Sequence, residues 1–432
     1  WQPVNNSSLV LFRALFGALL CWHCIHYMVS GKLYVNFIAP PCTFSFIGFE
    51  WLQPLPGNGM YYWFAGMALL ALLIMTGILY RLAMPAFAVM WTAVYLMQKS
   101  DYNNHYYLLL LLCWLMCFMP AAARFSLGRN TPAVTVCPRW VYWLLWAQML
   151  IIYFYAALNK FDPDWLSGRF VSLQFKSLST HRFVGPIYAN RFFQLFICYA
   201  GLLFDAFIIP LLLWKRTRTY AFAVYVCFHL FNSYTFYIGV FPYLSLAMAL
   251  FFFSPEKLDQ LVLQRFRQPE FTSVLKLPAV PKQRLLTAAL LIYLAFQLLL
   301  PLRYLLYPGP VFWTEEGYRM SWKMMARIKT GRIFYKVYDP GSGQKWVINP
   351  ADSFSPGHVK WMAIAPDIAW QYSQRIKKNF AAKGYPGIQI FAIDSVTLNM
   401  HAPQLLIDTS VNLAAVKWEP FRHSNWVLPL QQ

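Results

Sequence analysis

The sequence predicts a polytopic α-helical membrane bundle of about nine transmembrane helices, followed by a small α+β extramembrane domain. Three observations carry that prediction. Of 432 residues, 59% are hydrophobic, 19% aromatic and only 12% charged, against roughly 25% charged in a soluble domain. The apolar residues gather into nine runs that end at Leu306. From Tyr307 onward the composition turns to that of a soluble domain. The expected division is therefore 1–306 for the bundle and 307–432 for the outer domain, an ordinary size for a folding unit.

Taken in order, the apolar runs are Leu9 to Val29, Tyr61 to Tyr80, Met84 to Met97, Tyr106 to Met119, Trp140 to Leu158, Phe192 to Trp214, Tyr220 to Ile238, Val240 to Phe253 and Leu285 to Leu306. Several are shorter than the roughly 20 residues that cross a bilayer. The chain opens on Trp1 rather than Met, so residues are expected before it, and the first run, with Arg13 near its start, reads as a retained anchor.

The formal charge is +20, from 36 Lys and Arg against 16 Asp and Glu. In such a chain it reads as basic loops facing anionic lipid, and no motif points to nucleic acid. Placing the N-terminus in the cytoplasm puts Arg81, Arg139, Lys215, Arg216, Arg218, Lys257, Lys282 and Arg284 inside, together with the basic residues of the loops Ala121 to Pro138 and Ser254 to Gln283. Fewer fall outside, as the positive-inside rule requires. The same orientation sets Lys99 to His105, Lys160 to Trp165 and the C-terminal domain on the outer, periplasmic or lumenal, side. A bacterial inner membrane is the expected location.

The first outer loop, Ser30 to Gly59, is itself apolar and rich in Pro, Gly and aromatics. It reads as a re-entrant or interfacial segment that roofs a pocket, its backbone shielded by protein. In the outer domain, Phe334 to Pro350 alternates about a Pro-Gly-Ser-Gly turn and predicts a hairpin. A helix is expected from Pro366 to about Lys383, then strands over Ile388 to Leu398 and Gln404 to Val416.

Candidate chemistry centres on Ile151 to Trp165, IIYFYAALNKFDPDW, an apolar run that ends in Lys160. Burial favours a neutral amine over an ammonium, which makes Lys160 the first candidate for a base; the alternative is a lysine that snorkels from a helix end. Asn103, Asn104 and His105, in KSDYNNHYYL, offer donors at the mouth of a helix that suit an oxyanion, or they cap it. His229 and Asn232 share one helical face inside an apolar run, where polar groups tend to face a cavity. Asp205, within the sixth run, belongs in the same category; its alternative is a structural partner for Arg13 or another buried donor. Cys21, His23, Cys24 and His26 resemble a metal cluster, but Cys21 and His23 do not share a face; buried filler is the better reading, and no metal is expected. His26 is placed to approach the outer pocket. No Gly-rich phosphate loop and no Ser/His/Asp setting appears.

Together, YNNHYYL at Tyr102 to Leu108, ALNKFDPDWL at Ala157 to Leu166, FHLFNS at Phe228 to Ser233 and WEPFRHSNWVLPL at Trp418 to Leu430 resemble the vitamin K-dependent gamma-glutamyl carboxylase family. LVLFRALFG at Leu9 to Gly17 and PLPGNGM at Pro54 to Met60 extend the resemblance over nearly the whole chain, and WTEEGYRMSW at Trp313 to Trp322 looks more like bacterial members. The resemblance implies a coupled reaction. A base deprotonates reduced vitamin K, oxygen adds, and the basic oxygenated species takes a γ-proton from a glutamate side chain, whose carbanion captures carbon dioxide. The products are γ-carboxyglutamate and vitamin K epoxide.

By resemblance, Lys160 matches the base, Asn104 and His105 the residues that hold the quinol oxygen, and Asn103, His229 and Asn232 the pocket around it. The implied cofactor is phylloquinol or menaquinol, with O2 and CO2 as cosubstrates, and the implied partners are the bilayer and a glutamate-containing peptide or protein. Two other functions stay open at this point: a quinol epoxidase acting on another substrate, and a non-enzymatic quinone or lipid carrier.

Overall fold

All nine apolar runs fold as helices, because a segment that buries its backbone among apolar side chains must satisfy its own hydrogen bonds. The computed structural model describes residues 1–122, 135–236, 238–263 and 280–431. Much of the two basic loops expected on the inner side, Ala121 to Pro138 and Ser254 to Gln283, therefore lies outside the described residues.

A short strand β1 (Pro3–Asn5) leads into α1 (Ser7–Val29), α2 (Gly59–Thr76), α3 (Tyr80–Met97) and α4 (Asn104–Phe118). Strand β2 (Val136–Pro138) pairs antiparallel with β1 at the start of α5 (Trp140–Leu158). Three short helices follow, α6 (Pro163–Leu166), α7 (Arg169–Phe175) and α8 (Gly185–Ala189), then α9 (Arg191–Leu213), α10 (Arg218–Phe236), α11 (Phe241–Met248), α12 (Pro255–Leu261) and α13 (Val280–Leu299).

Five of these helices are long and apolar enough to cross a membrane among the described residues: α1, α2, α5, α9 and α13 with its extension to Leu306. Helix α4 and the stretch Phe241–Phe252 are apolar but shorter. Nine spans are thus not established, although nine helices occupy the predicted runs. The third helix starts at Tyr80 rather than Met84, since Gly77 and Leu79 take left-handed conformations that end α2 and turn the chain at once. Around α1 the packing is close: a Cβ on Gly17 would lie 2.4 Å from the backbone nitrogen of Met75. Small residues serve this purpose wherever helix backbones meet in membranes.

The outer domain begins with α14 (Val311–Thr314) and forms a three-stranded antiparallel sheet, β3 (Lys329–Tyr338), β4 (Lys345–Ile348) and β5 (Gln389–Leu398), with β3 in the centre. The predicted hairpin is β3–β4, in the register Tyr335 to Ile348 and Val337 to Trp346. Alternate residues Ile333, Tyr335 and Val337 of β3 and Ile390, Ala392 and Val396 of β5 are buried, in one core with residues of α15 (Pro356–Ile364) and α16 (Pro366–Ala382). The expected strand over Gln404 to Val416 does not form. Only isolated bridges occur, Val396 with Gln404 and Ile407 with Val427. The Asn412 side chain accepts from the amides of Ile390 and Ala414, and Asp408 accepts from Ser410; such local side-chain bonds turn the chain out of a ladder.

The loop Ser30 to Gly59 does not roof the main cavity. It fills the seam between bundle and outer domain, where Phe44 joins the outer core and its carbonyl accepts from Lys99 N at 2.7 Å. Gln98 donates to Asn36 O and Gln371 to Ser45 O, so protein shields this irregular backbone as expected.

Candidate functional site

Helix α5 ends at Leu158 and leaves Asn159 and Lys160 at the seam. Asp162 caps α6, accepting from Asp164 N at 3.0 Å with Pro163 in the first turn, so DPDW turns the chain sharply beside Lys160. The lysine does not snorkel outward. Its side chain is 7% exposed and forms an ion pair with Asp205 Oδ2, while Nζ lies 5.0 Å from the centroid of the Trp165 ring. Asp205 therefore belongs to Lys160, not to Arg13. One turn earlier on α9, Gly201 lies against both side chains: a Cβ there would meet Trp165 at 3.7 Å and Lys160 Cε at 4.0 Å, ordinary van der Waals contacts.

Lys160 and Asp205 line a cavity of ≈ 260 Å³. By the same measure a water needs on the order of 10–15 Å³, so an organic ring system fits. Its apolar wall comes from Phe170, Val171, Ile197, Phe228, Phe236 and Phe241. Asn103, Asn104, His105 and Asn232 also line it.

The amides prove more committed than expected. Asn103 caps α4, accepting from Tyr106 N at 2.9 Å. Asn104 accepts from Tyr102 OH at 2.9 Å and donates to Lys323 O at 3.1 Å. His105 is the freer group: its ring packs near Phe241, and among the described residues its nitrogens make no protein hydrogen bond. His229 does not line the cavity. It is fully buried, with Nε2 2.8 Å from the hydroxyl of Tyr153, which does. His26 is exposed, stacked on Trp22, and lines no part of the cavity.

Two residues were missed by sequence reading. Asn159 donates to Trp322 O at 3.2 Å and accepts from Lys323 Nζ at 2.6 Å. Lys323 lines the cavity from the outer-domain side; the only signal in the sequence is its place right after WTEEGYRMSW. The segment that brings it in is bent, with Met320, Trp322 and Met325 at φ of 61°, 54° and 51°. Each such residue costs of order 1–3 kcal/mol, so the surrounding contacts must hold it. Further staples join the two parts: Lys99 to Asp367 at 2.6 Å and Arg169 Nε to Asn399 O at 2.8 Å. Burial works against the Asp367 charge, but Arg319 and Lys99 outweigh it and hold this carboxyl well below the usual range. The C-terminal motif closes the outer domain, with His423 Nδ1 2.7 Å from Glu316 and Trp426 buried.

Family models match on both sides of this seam: the HTTM domain over residues 1–256, and the vitamin K-dependent gamma-carboxylase lumenal domain over residues 282–432. The chain belongs to the vitamin K-dependent gamma-glutamyl carboxylase family. No solved structure matches it. As a member of this carboxylase family with five membrane-spanning candidates, it is an integral membrane protein with a lumenal-type domain, and the Lys160 cavity lies where the two family modules meet.

Proposed function

We propose that this protein is a quinol-dependent glutamyl carboxylase of bacterial type, with Lys160 as the base that takes a proton from the quinol hydroxyl. The observation that carries this reading is the buried Lys160–Asp205 pair in the wall of an apolar cavity at the seam. Moving the proton from Nζ to the Asp205 carboxylate leaves the pair's net charge at zero, so a low-dielectric site tolerates the neutral amine that a base must be. Asp205 is then the store for the lysine's own proton. The cavity suits phylloquinol or menaquinol: aromatic and aliphatic walls for the fused ring, and Lys160 and His105 on the polar side. When bound, the quinol would supply, through its oxidation by O2, the base strength toward a carbon acid that a lysine lacks. His105, which lines the cavity, would hold a developing oxyanion, and Asn103 and Asn104 would fix the wall that carries it. The outer domain would present the glutamate side chain, and CO2 would be the second substrate.

A paired assay tests this. Purified protein in detergent receives reduced vitamin K, labelled bicarbonate and a Glu-containing peptide, and epoxide and fixed label are followed separately. Wild type makes both and Lys160→Ala neither, if the reading holds. Epoxide without fixed label, across several peptides, points to a quinol epoxidase with another substrate. Quinone binding without either product points to a carrier.

A further inference from the structure

The cavity lining carries three formally charged side chains: Lys160, Asp205 and Lys323. The first two neutralise each other. Lys323 has no carboxylate within ion-pair distance among the described residues, although it is only 4% exposed. Its Nζ donates to Asn159 Oδ1 at 2.6 Å and sits 3.9 Å from the centroid of the Tyr304 ring and 5.2 Å from that of Phe312. An ammonium has three donors. One is spent on an amide, and aromatic faces offset only part of the cost of burying a cation.

The surroundings are built to keep this lysine where it is. Its own carbonyl accepts from Asn104 Nδ2 at 3.1 Å and Tyr318 OH at 3.2 Å, and the preceding carbonyl accepts from Asn159. Two amides of the site motifs thus serve to position Lys323, and the left-handed backbone at Trp322 and Met325 brackets it. A buried, positioned cation in a cavity wall, whose nearest carboxylate, Asp162, acts on it only from beyond ion-pair distance, suits an anion subsite.

We propose that Lys323 is the subsite for the γ-carboxylate of the substrate glutamate. This rests on the carboxylase reading above and names how the peptide is held. Of the charged groups in the cavity, Lys323 alone stands on the outer domain, the side from which a peptide would come. Loss of a proton from the carbon next to a carboxylate places a second negative charge on that carboxyl group, and a fixed cation offsets it. Burial pushes the Lys323 ammonium down to about 8, with Asp162 pulling the other way, and an arriving carboxylate would favour the charged form further.

The test is equilibrium binding on the full chain in detergent, without quinol or turnover. A fluorescent pentapeptide with one Glu is compared with its Gln analogue on wild type, Lys323→Gln, which can still bond Asn159, and Lys323→Arg, which keeps the charge. Wild type is expected to prefer the Glu peptide at least ten-fold. Lys323→Gln should bring that ratio to within two-fold of unity, and Lys323→Arg should retain most of it. No Glu preference in wild type overturns the proposal without any variant, as does a preference that survives Lys323→Gln. Bicarbonate that displaces the Glu peptide from wild type but not from Lys323→Gln would assign the subsite to the inorganic anion instead. The two readings fail separately: a Glu preference lost in Lys323→Gln, in a protein that fixes no label, keeps the subsite and removes the carboxylase; label fixed with an unchanged preference does the reverse.

Discussion

The Lys160–Asp205 pair makes a prediction that can be worked from its burial. Both side chains are 7% exposed, so solvent screening, which holds exposed pairs to about 0–1 kcal/mol, is largely absent. Removing one partner strands the other charge among aromatic walls, at a cost of about 3–5 kcal/mol. Removing both restores a neutral cavity. Lys160→Met and Asp205→Leu should therefore each destabilise by about that amount, while the double variant returns to within about 2 kcal/mol of wild type. The assay is equilibrium unfolding in mixed micelles of a mild detergent and SDS, as a double-mutant cycle. Function follows the same geometry. Asp205→Asn keeps the shape but cannot store the lysine's proton, and quinol oxidation should fall by on the order of 100-fold or more. Single variants that cost under about 1 kcal/mol and simply add in the double, or an Asp205→Asn protein with activity within a few-fold of wild type, would refute the argument.

Two further outcomes are expected. Gly17→Ala should destabilise by about 1–3 kcal/mol, because its Cβ would meet Met75 backbone atoms at 2.4 and 2.6 Å; Gly66→Ala, whose Cβ would meet only Met90 Cε at 3.8 Å, should be near neutral in the same unfolding assay. In the outer domain, burial pushes the Lys329 ammonium down to about 7 although Glu315 favours its charge. Unfolded, the same lysine titrates near 10.4. Between those values the unfolded chain binds a proton that the native one lacks, so stability rises with pH from about 7 to about 10. Lys99, pushed down by burial to about 8 against the pull of Asp367, adds in the same sense, and Lys329→Met should flatten the rise measured by tryptophan fluorescence.

Periodicity and composition determined the helices of the nine apolar runs, the β3–β4 hairpin, α16 and β5, because each is a local pattern of apolar spacing and turn residues that needs no distant partner. Residue types at the ends of apolar runs also picked out Lys160, Asn104 and His105, which the fold brings to one cavity. The expected strand over Gln404 to Val416 failed because its alternation competes with Asn and Asp side chains that claim backbone amides. Its buried residues, Leu406, Ile407 and Leu413, gave the apolar signal that strand and packed coil share. What only the tertiary structure decided is who pairs with whom. Asp205 lies 45 positions from Lys160 and Lys323 lies 164 from Asn159. No local pattern encodes such a meeting, since it depends on how α5, α9 and the outer domain pack together. That packing turned a lysine that could have reached for water into half of a buried ion pair, and set a second lysine beside Asn159 with no carboxylate within ion-pair distance among the described residues.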